Sequence, residues 1–150
     1  KEALYAAVMG EGFGRLLAQL QSVDAGATPV VRLQGMIGEI ISYLHRDRSV
    51  LRLTGREEEG KRRSRSGWRA RRTQLVDTLA EVLGEGVRTG DFDVRHPRAT
   101  ANMVLGMIRS CLRYNDGELG PEQITEDILS VFLGGVARDR RHKTGPGESD

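Results

Sequence analysis

The side chains that could do acid–base, nucleophilic or metal chemistry are few and far apart in this sequence. His45, His96 and His142 lie in three separate segments, and none has a second His or Cys at the i+3 or i+4 spacing with which one helix holds a metal. The single cysteine, Cys111, falls within an apolar helical pattern, which favours a small core residue over a nucleophile. The adjacent glutamates at 57–59 diverge around a helix and form no acid–base pair. The sequence therefore predicts a protein that is not an enzyme and needs no metal or cofactor.

A basic run at residues 61–72 is the most concentrated charge in the chain. It holds one Lys and six Arg residues with no acidic residue between them, although the net charge of the whole chain is only +2. The run is either a solvated helix face or a contact for phosphate or carboxylate groups, which Arg binds through two parallel hydrogen bonds. A nucleic-acid or nuclear-localisation tract is a weaker alternative.

The composition is typical of a soluble globular domain, with 38% hydrophobic and 29% charged residues in a chain of 150. No apolar run approaches the roughly 18 residues that a membrane-spanning helix needs, so we expect no membrane contact. One cysteine cannot form an internal disulfide, which favours a reducing, cytoplasmic compartment.

Apolar residues recur at helical spacing along most of the chain, and no segment alternates as a strand does. The pattern predicts helices near residues 2–21, 28–45, 68–89, 97–114 and 121–138, and a short one near 49–53. The second of these is apolar almost all round, which is typical of a central helix. We therefore predict an all-α bundle of five or six helices over residues 1–141, followed by a flexible tail at 142–150.

The predicted helix at 97–114 carries two apolar stripes, and the chain is organised around it. One consists of Thr100, Met103, Met107 and Cys111, and the other of Val104, Leu105, Ile108 and Leu112. A helix with two apolar faces packs against two things. One is the core of its own domain, and the other is a partner or a cavity.

Three glycines, Gly10, Gly12 and Gly14, interrupt the first predicted helix. Each costs roughly 1 kcal/mol relative to Ala within a helix. Either they allow close packing against a neighbouring helix, or they make a soft point at which this helix bends.

Three segments together resemble the regulatory part of a TetR-family transcriptional repressor. KEALY at 1–5 resembles the segment that leaves that family's DNA-binding head. EVLGEGVRTGDFDVRHPRATANMVLGMI at 81–108 is similar to the family's helix end, turn and new helix, although His96 stands where an Asp precedes the family's proline. GPEQITEDILSVFLGGV at 120–136 resembles its last helix.

The resemblance implies a TetR C-terminal bundle that forms a homodimer and binds a small apolar or amphipathic effector. Effector binding moves the first helix and releases operator DNA. That DNA is bound only through an upstream helix-turn-helix head, which the resemblance does not place within residues 1–150.

The resemblance also implies where the two sites lie. The effector pocket is lined by central helices, with candidates Met36, Ile40, Tyr43, Trp68, Leu75, Leu79, Met103, Met107 and Cys111. The dimer interface lies on the last two long helices, with candidates Leu105, Ile108, Leu112, Leu129, Phe132 and Val136. Simple core packing is the competing role for every one of these residues. The alternative function is a helical protein-interaction module without a ligand, whose basic run docks on an acidic surface.

Overall fold

A computed structural model describes residues 2–22, 26–47, 62–115 and 117–136, and the side chains of 10–22, 26–47, 69–115 and 117–135. These residues form five helices. They are α1 (Glu2–Ser22), α2 (Pro29–Arg46), α3 (Arg62–Thr89), α4 (Pro97–Tyr114) and α5 (Pro121–Val136). The all-α prediction is confirmed. The short helix predicted near 49–53 and the tail at 142–150 lie outside the described residues.

The predicted starts of three helices are confirmed, because each depends on local chemistry. Pro29, Pro97 and Pro121 are each the first residue of a helix, where the missing N–H of proline would be unpaired in any case. Thr28 caps α2, since its side chain accepts a hydrogen bond from the backbone N–H of Val31.

The turn between α3 and α4 is set by two glycines. Gly90 ends α3 with a φ of +81°, a conformation that favours glycine. The carbonyl oxygen of Gly86 accepts hydrogen bonds from the backbone N–H groups of Asp91 and Phe92, at 2.8 and 3.0 Å. A Cβ on Gly86 would lie 2.1 Å from Cδ2 of Phe92. Because Gly86 has no side chain, the Phe92 ring can pack directly against α3. The chain then reverses direction, and α4 packs along α3.

The turn between α4 and α5 is held by the side chain of Asn115. Its amide nitrogen donates to the carbonyl of Leu119 at 2.7 Å, and its amide oxygen accepts from the backbone N–H of Leu119 at 3.0 Å. The backbone N–H of Gly120 donates to the side chain of Gln123 at 2.9 Å. So short a connection makes α4 and α5 antiparallel neighbours.

Helix α2 is the centre of the bundle, as its sequence predicts, and it contacts each of the other four helices. Its buried side chains include Leu33, Met36, Ile37, Ile40 and Ile41. The most extensive contact between two helices joins α3 and α4.

Within the described part of the chain, ion pairs tie α3 to its neighbours. Arg32 of α2 pairs with Glu85 in a partly buried position, and Arg98 of α4 pairs with Asp77 on the surface. The second pair shows that the flank of α4 that carries Arg98 is turned toward α3.

Candidate effector site and outer face

An aromatic ring from α1 contacts both a phenol and a guanidinium. The ring centroids of Phe13 and Tyr43 are 6.4 Å apart, with their planes at 72° in an edge-to-face arrangement. On α3, the Cζ atom of Arg71 lies 5.8 Å from the centroid of the Phe13 ring, within the range of a cation–π contact. Phe13 is buried, whereas Tyr43 and Arg71 are only half-buried. We call these three residues the α1 clamp.

The glycines of α1 are spaced to fit this clamp. A Cβ on Gly10 would lie 3.1 Å from Nη2 of Arg71, and one on Gly12 would lie 3.4 Å from the hydroxyl oxygen of Tyr43. A Cβ on Gly14 would meet nothing within 4 Å. Gly10 is therefore close to the flexible end of the Arg71 side chain, Gly12 is in ordinary contact with Tyr43, and Gly14 has no neighbour at this position.

Several predicted effector residues lie behind the clamp, in the core between α2 and α3. Met36 and Ile40 precede Tyr43 on one face of α2, and Leu75 and Leu79 follow Arg71 on one face of α3. All four of these apolar side chains are buried. No polar or charged side chain is buried among the residues that the structure describes. Tyr43 and Arg71 therefore bring polar groups to the border of an apolar interior.

The other predicted effector residues lie elsewhere or outside the described side chains. Met103 is 64% exposed and Cys111 is also exposed, while Met107 is half-buried. Met103 and Cys111 are therefore at the surface of the single chain, whereas Met107 packs against the core. The side chain of Trp68 lies outside the described residues.

The predicted interface residues are mostly in the core of a single chain. Leu105, Leu112 and Phe132 are buried, Ile108 is 0% exposed, and Leu129 is half-buried against the core. This placement differs from the predicted role, because side chains already covered by their own chain have almost no surface left for a partner. The side chain of Val136 lies outside the described residues.

The uncovered apolar surface lies on the opposite side of α4 and on the adjoining side of α5. Met103, Tyr114 and Val131 are 64%, 74% and 69% exposed. The same helices also expose the small residues Ala99, Gly106, Ser110 and Gly134. We call the whole surface the outer face, and it consists of Ala99, Met103, Gly106, Ser110 and Tyr114 of α4 with Val131 and Gly134 of α5. None of these seven residues is charged, but the exposed Asp127 lies one turn before Val131 on the same side of α5.

The sequence does not indicate the α1 clamp or the outer face as such. Nothing in the local sequence links Phe13 to Arg71, because the two residues are far apart in the chain. The exposed Val131 sits beside the buried Ile128 and Phe132, and only the packing of α5 tells them apart. For the outer face, the sequence indicates only that α4 has a second apolar stripe, which contains Met103.

Two absences apply to the described part of the chain. It contains no group of three or more His, Cys, Asp or Glu residues placed to hold a metal ion. None of its helices is both long and apolar enough to cross a membrane.

Solved structures of similar fold include several transcriptional regulators. A TetR/AcrR-family regulator from Thermobifida fusca superposes with a TM-score of 0.75 and 22% identity, over 89% of this chain and 73% of that one. AibR in complex with isovaleryl coenzyme A and operator DNA gives 0.67 and 26%, over 87% and 73%. FadR from Bacillus subtilis in complex with stearoyl-CoA gives 0.67 and 20%, over 89% and 73%.

The sequence itself matches the family described as "Tetracyclin repressor-like, C-terminal domain" over residues 26–136. The chain belongs to this family, and the resemblance inferred from its sequence is confirmed. No curated protein sequence matches it.

Proposed function

We propose that this chain is the effector-sensing and dimerisation part of a TetR-like transcriptional repressor, and that its effector is an acyl thioester of coenzyme A. AibR and FadR, two regulators of similar fold, hold isovaleryl coenzyme A and stearoyl-CoA. Such ligands combine an apolar chain with several phosphates. They match the small apolar or amphipathic effector that the sequence predicts.

The α1 clamp is the observation that carries this proposal. A wholly apolar interior near Ile40 and Leu75 suits an acyl chain. At its border, Arg71 offers a cation that pairs well with phosphate, and Tyr43 offers a hydroxyl. Arg69 and Arg72 are exposed beside Arg71, so one end of the basic run combines a half-buried guanidinium with two solvated ones.

The same residues couple the effector to α1. Phe13 contacts both Tyr43 and Arg71, so a ligand that binds these two groups changes the contacts that hold α1. Binding then favours the arrangement in which α1 has moved. The ligand shifts the equilibrium only by the difference between its affinities for the two arrangements.

The test is titration of the 150-residue chain with isovaleryl-CoA and stearoyl-CoA, with free coenzyme A as the ligand control. Trp68 is the only tryptophan and lies one helical turn before Arg71, so intrinsic fluorescence reports on this region. We expect saturable binding of at least one thioester and weaker binding of coenzyme A itself. Native mass spectrometry of the protein as purified, repeated after denaturation, then shows whether a small molecule is carried and released.

Two arginine variants separate a specific contact from general charge. Arg71→Gln should weaken thioester binding about tenfold to hundredfold, since hydrogen bonds to charged groups contribute roughly 1.5–3 kcal/mol. Arg72→Gln removes the same charge from an exposed neighbour and should change the affinity less than about twofold. An equal loss of thioester affinity in the two variants would mean that Arg71 acts only through general electrostatic attraction and not through a specific contact. No binding of either thioester would favour the alternative function, an interaction module without a ligand.

We further propose that the outer face joins two copies of the chain. Large apolar side chains that stay exposed on a domain surface mark an interaction site, and the resemblance implies a dimer formed through the last two long helices. This assignment replaces the buried stripe of Leu105, Ile108 and Leu112 with the exposed stripe of Met103.

Sedimentation of single-charge variants tests this assignment. Met103→Glu and Val131→Glu should shift the chain from dimer to monomer at micromolar concentration, because each buries a charge in the interface. Val31→Glu is the matched control, since Val31 is 53% exposed on α2, away from the outer face. A wild-type chain that is monomeric would contradict the proposal, as would variants that remain dimeric.

A further inference from the structure

Helices α2 and α3 lie side by side and run in opposite directions. At one end, Phe13 contacts both Tyr43 of α2 and Arg71 of α3. At the other end, Arg32 near the start of α2 pairs with Glu85 near the end of α3. At about 1.5 Å per residue, the stretch of α2 from Arg32 to Tyr43 is about 16 Å long. We call the contact between the two helices along this stretch the α2–α3 seam.

The α2–α3 seam is apolar inside and charged at its far end. Four side chains lie one and two helical turns from the clamp, and each is at most 3% exposed. They are Met36 and Ile40 of α2 and Leu75 and Leu79 of α3. Glu39 and Thr78 are only half-buried, so they lie at the rim of the seam and not among these four. The Arg32–Glu85 pair, with side chains 23% and 38% exposed, closes the end that is remote from the clamp.

The length of the seam limits the acyl chain that it can hold. A fully extended chain gains about 1.2 Å per bond, since the three backbone bonds of one residue span about 3.6 Å. At this rate a stearoyl chain is about 20 Å long, so one that entered at the clamp would reach past the Arg32–Glu85 pair. The main chain of an isovaleryl group is about 4 Å long and ends beside Ile40 and Leu75, one turn from the clamp.

Met36 lies two turns from Tyr43, about 10 Å along α2. Its side chain is unbranched and adapts to an apolar group that reaches it. Each methylene that is buried before this point strengthens binding by up to about fourfold. A longer chain has to displace Met36 and enter a filled core, where added volume is unfavourable. The affinity therefore rises with chain length up to Met36 and falls beyond it.

We propose that the effector carries a short acyl chain and that Met36 sets the upper limit, at about eight carbons, because about eight bonds span the distance from Tyr43 to Met36. Isovaleryl-CoA falls within this class and stearoyl-CoA does not. This inference rests on the proposed function and adds the chain length of the ligand and the residue that selects it.

A chain-length series with the 150-residue chain tests the limit. The ligands are butyryl-, isovaleryl-, hexanoyl-, octanoyl-, dodecanoyl- and stearoyl-CoA, each used below the concentration at which it forms micelles. Calorimetric titration gives the dissociation constants. We expect the affinity to rise by up to about fourfold per carbon as far as hexanoyl- or octanoyl-CoA. It should then fall at least about tenfold for dodecanoyl- and stearoyl-CoA, which have to displace core side chains.

Variants of Met36 test which residue selects the length. Met36→Ala should move the optimum about two or three carbons upward and tighten dodecanoyl-CoA binding at least about tenfold, while butyryl-CoA binding changes less than about twofold. Met36→Val is the milder truncation and should move the optimum in the same direction. Circular dichroism verifies that each variant keeps its helix content. Ile128→Ala is the matched control, since Ile128 is 2% exposed on α5. In the described part of the chain, α5 contacts α2 and α4 but neither α1 nor α3, so this variant should leave the optimum unchanged.

The outcomes separate this inference from the proposed function. If no thioester of any length binds, the proposed function fails, and the chain-length limit fails with it. If stearoyl-CoA binds at least as tightly as hexanoyl-CoA, the limit alone is wrong. An optimum that stays the same in folded Met36→Ala or Met36→Val would remove Met36 as the residue that sets it.

Discussion

The α1 clamp and the outer face are both built from apolar side chains and glycines, but they differ in what covers them. At the clamp, Phe13 is enclosed by its own chain, and Gly10 and Gly12 each face a side chain within 3.4 Å. On the outer face, Met103 and Val131 are exposed, and Gly106 and Gly134 would meet nothing within 4 Å. The same residue types therefore make contacts within the chain in one region and stay exposed in the other.

The largest difference in the free energy of unfolding is expected between variants in the two stripes of α4. Ile108→Ala should lower the free energy of unfolding by about 2–5 kcal/mol, since it leaves a cavity in a fully buried site. Met103→Ala should change the stability of the single chain by less than about 0.5 kcal/mol. Urea denaturation over a series of protein concentrations gives both values and separates dimer dissociation from unfolding. Similar losses in the two variants at the lowest concentration would break the distinction between a covered and an uncovered stripe.

A second pair of variants tests whether a glycine is required where a neighbouring side chain packs closely against a helix. Gly86→Ala should destabilise the chain by about 1–3 kcal/mol or more, because its Cβ would overlap the Phe92 ring. Gly84→Ala, two residues earlier in the same helix, has only an ordinary contact at 3.9 Å with Arg88. It should be neutral or stabilising. Thermal unfolding compares the two, and equal stability would contradict the role given to Gly86.

A third pair compares open glycines in the two regions. Gly14→Ala and Gly106→Ala should each raise the free energy of unfolding by about 0.5–1 kcal/mol, since neither Cβ meets a neighbour in the single chain. Only Gly106→Ala should alter self-association, because only Gly106 lies on the outer face. Gly14→Ala also stiffens α1 at the one glycine without a packing reason. An unchanged DNA response to effector in the intact repressor would remove Gly14 as a bending point.

The smallest effect is expected at the surface ion pair. Arg98→Gln should cost at most about 1 kcal/mol, because both partners are more than half exposed and the pair is screened by salt. Arg32→Gln should cost more, since the Arg32 side chain is only 23% exposed in its pair with Glu85. Urea denaturation at low and high salt ranks the two. A larger loss for Arg98→Gln would contradict the placement of this pair on the periphery.

Much of the fold could be predicted from the sequence, because helix boundaries depend on neighbouring residues. Thr28 and Pro29 open a helix through a cap and a missing donor, and Gly90 closes one because it adopts a positive φ. The central position of α2 followed from a surface that is apolar nearly all round. The candidate site could be predicted only in part. Periodicity predicts that Leu75 is on an apolar face, and it is buried in the core against which Tyr43 packs, whereas the contacts that make Arg71 part of a clamp join residues from three helices.

Periodicity by itself predicts that α4 has two apolar stripes, one for the core of the domain and one for a partner or a cavity. It could not tell which stripe is inside, because Met103 and Ile108 repeat with the same spacing and have similar hydrophobicity. That choice was made by the tertiary structure, through the turn that Gly86 and Phe92 form between α3 and α4. The turn sets the rotation of α4 about its own axis, and this rotation buries Ile108 against α2 and leaves Met103 at the surface.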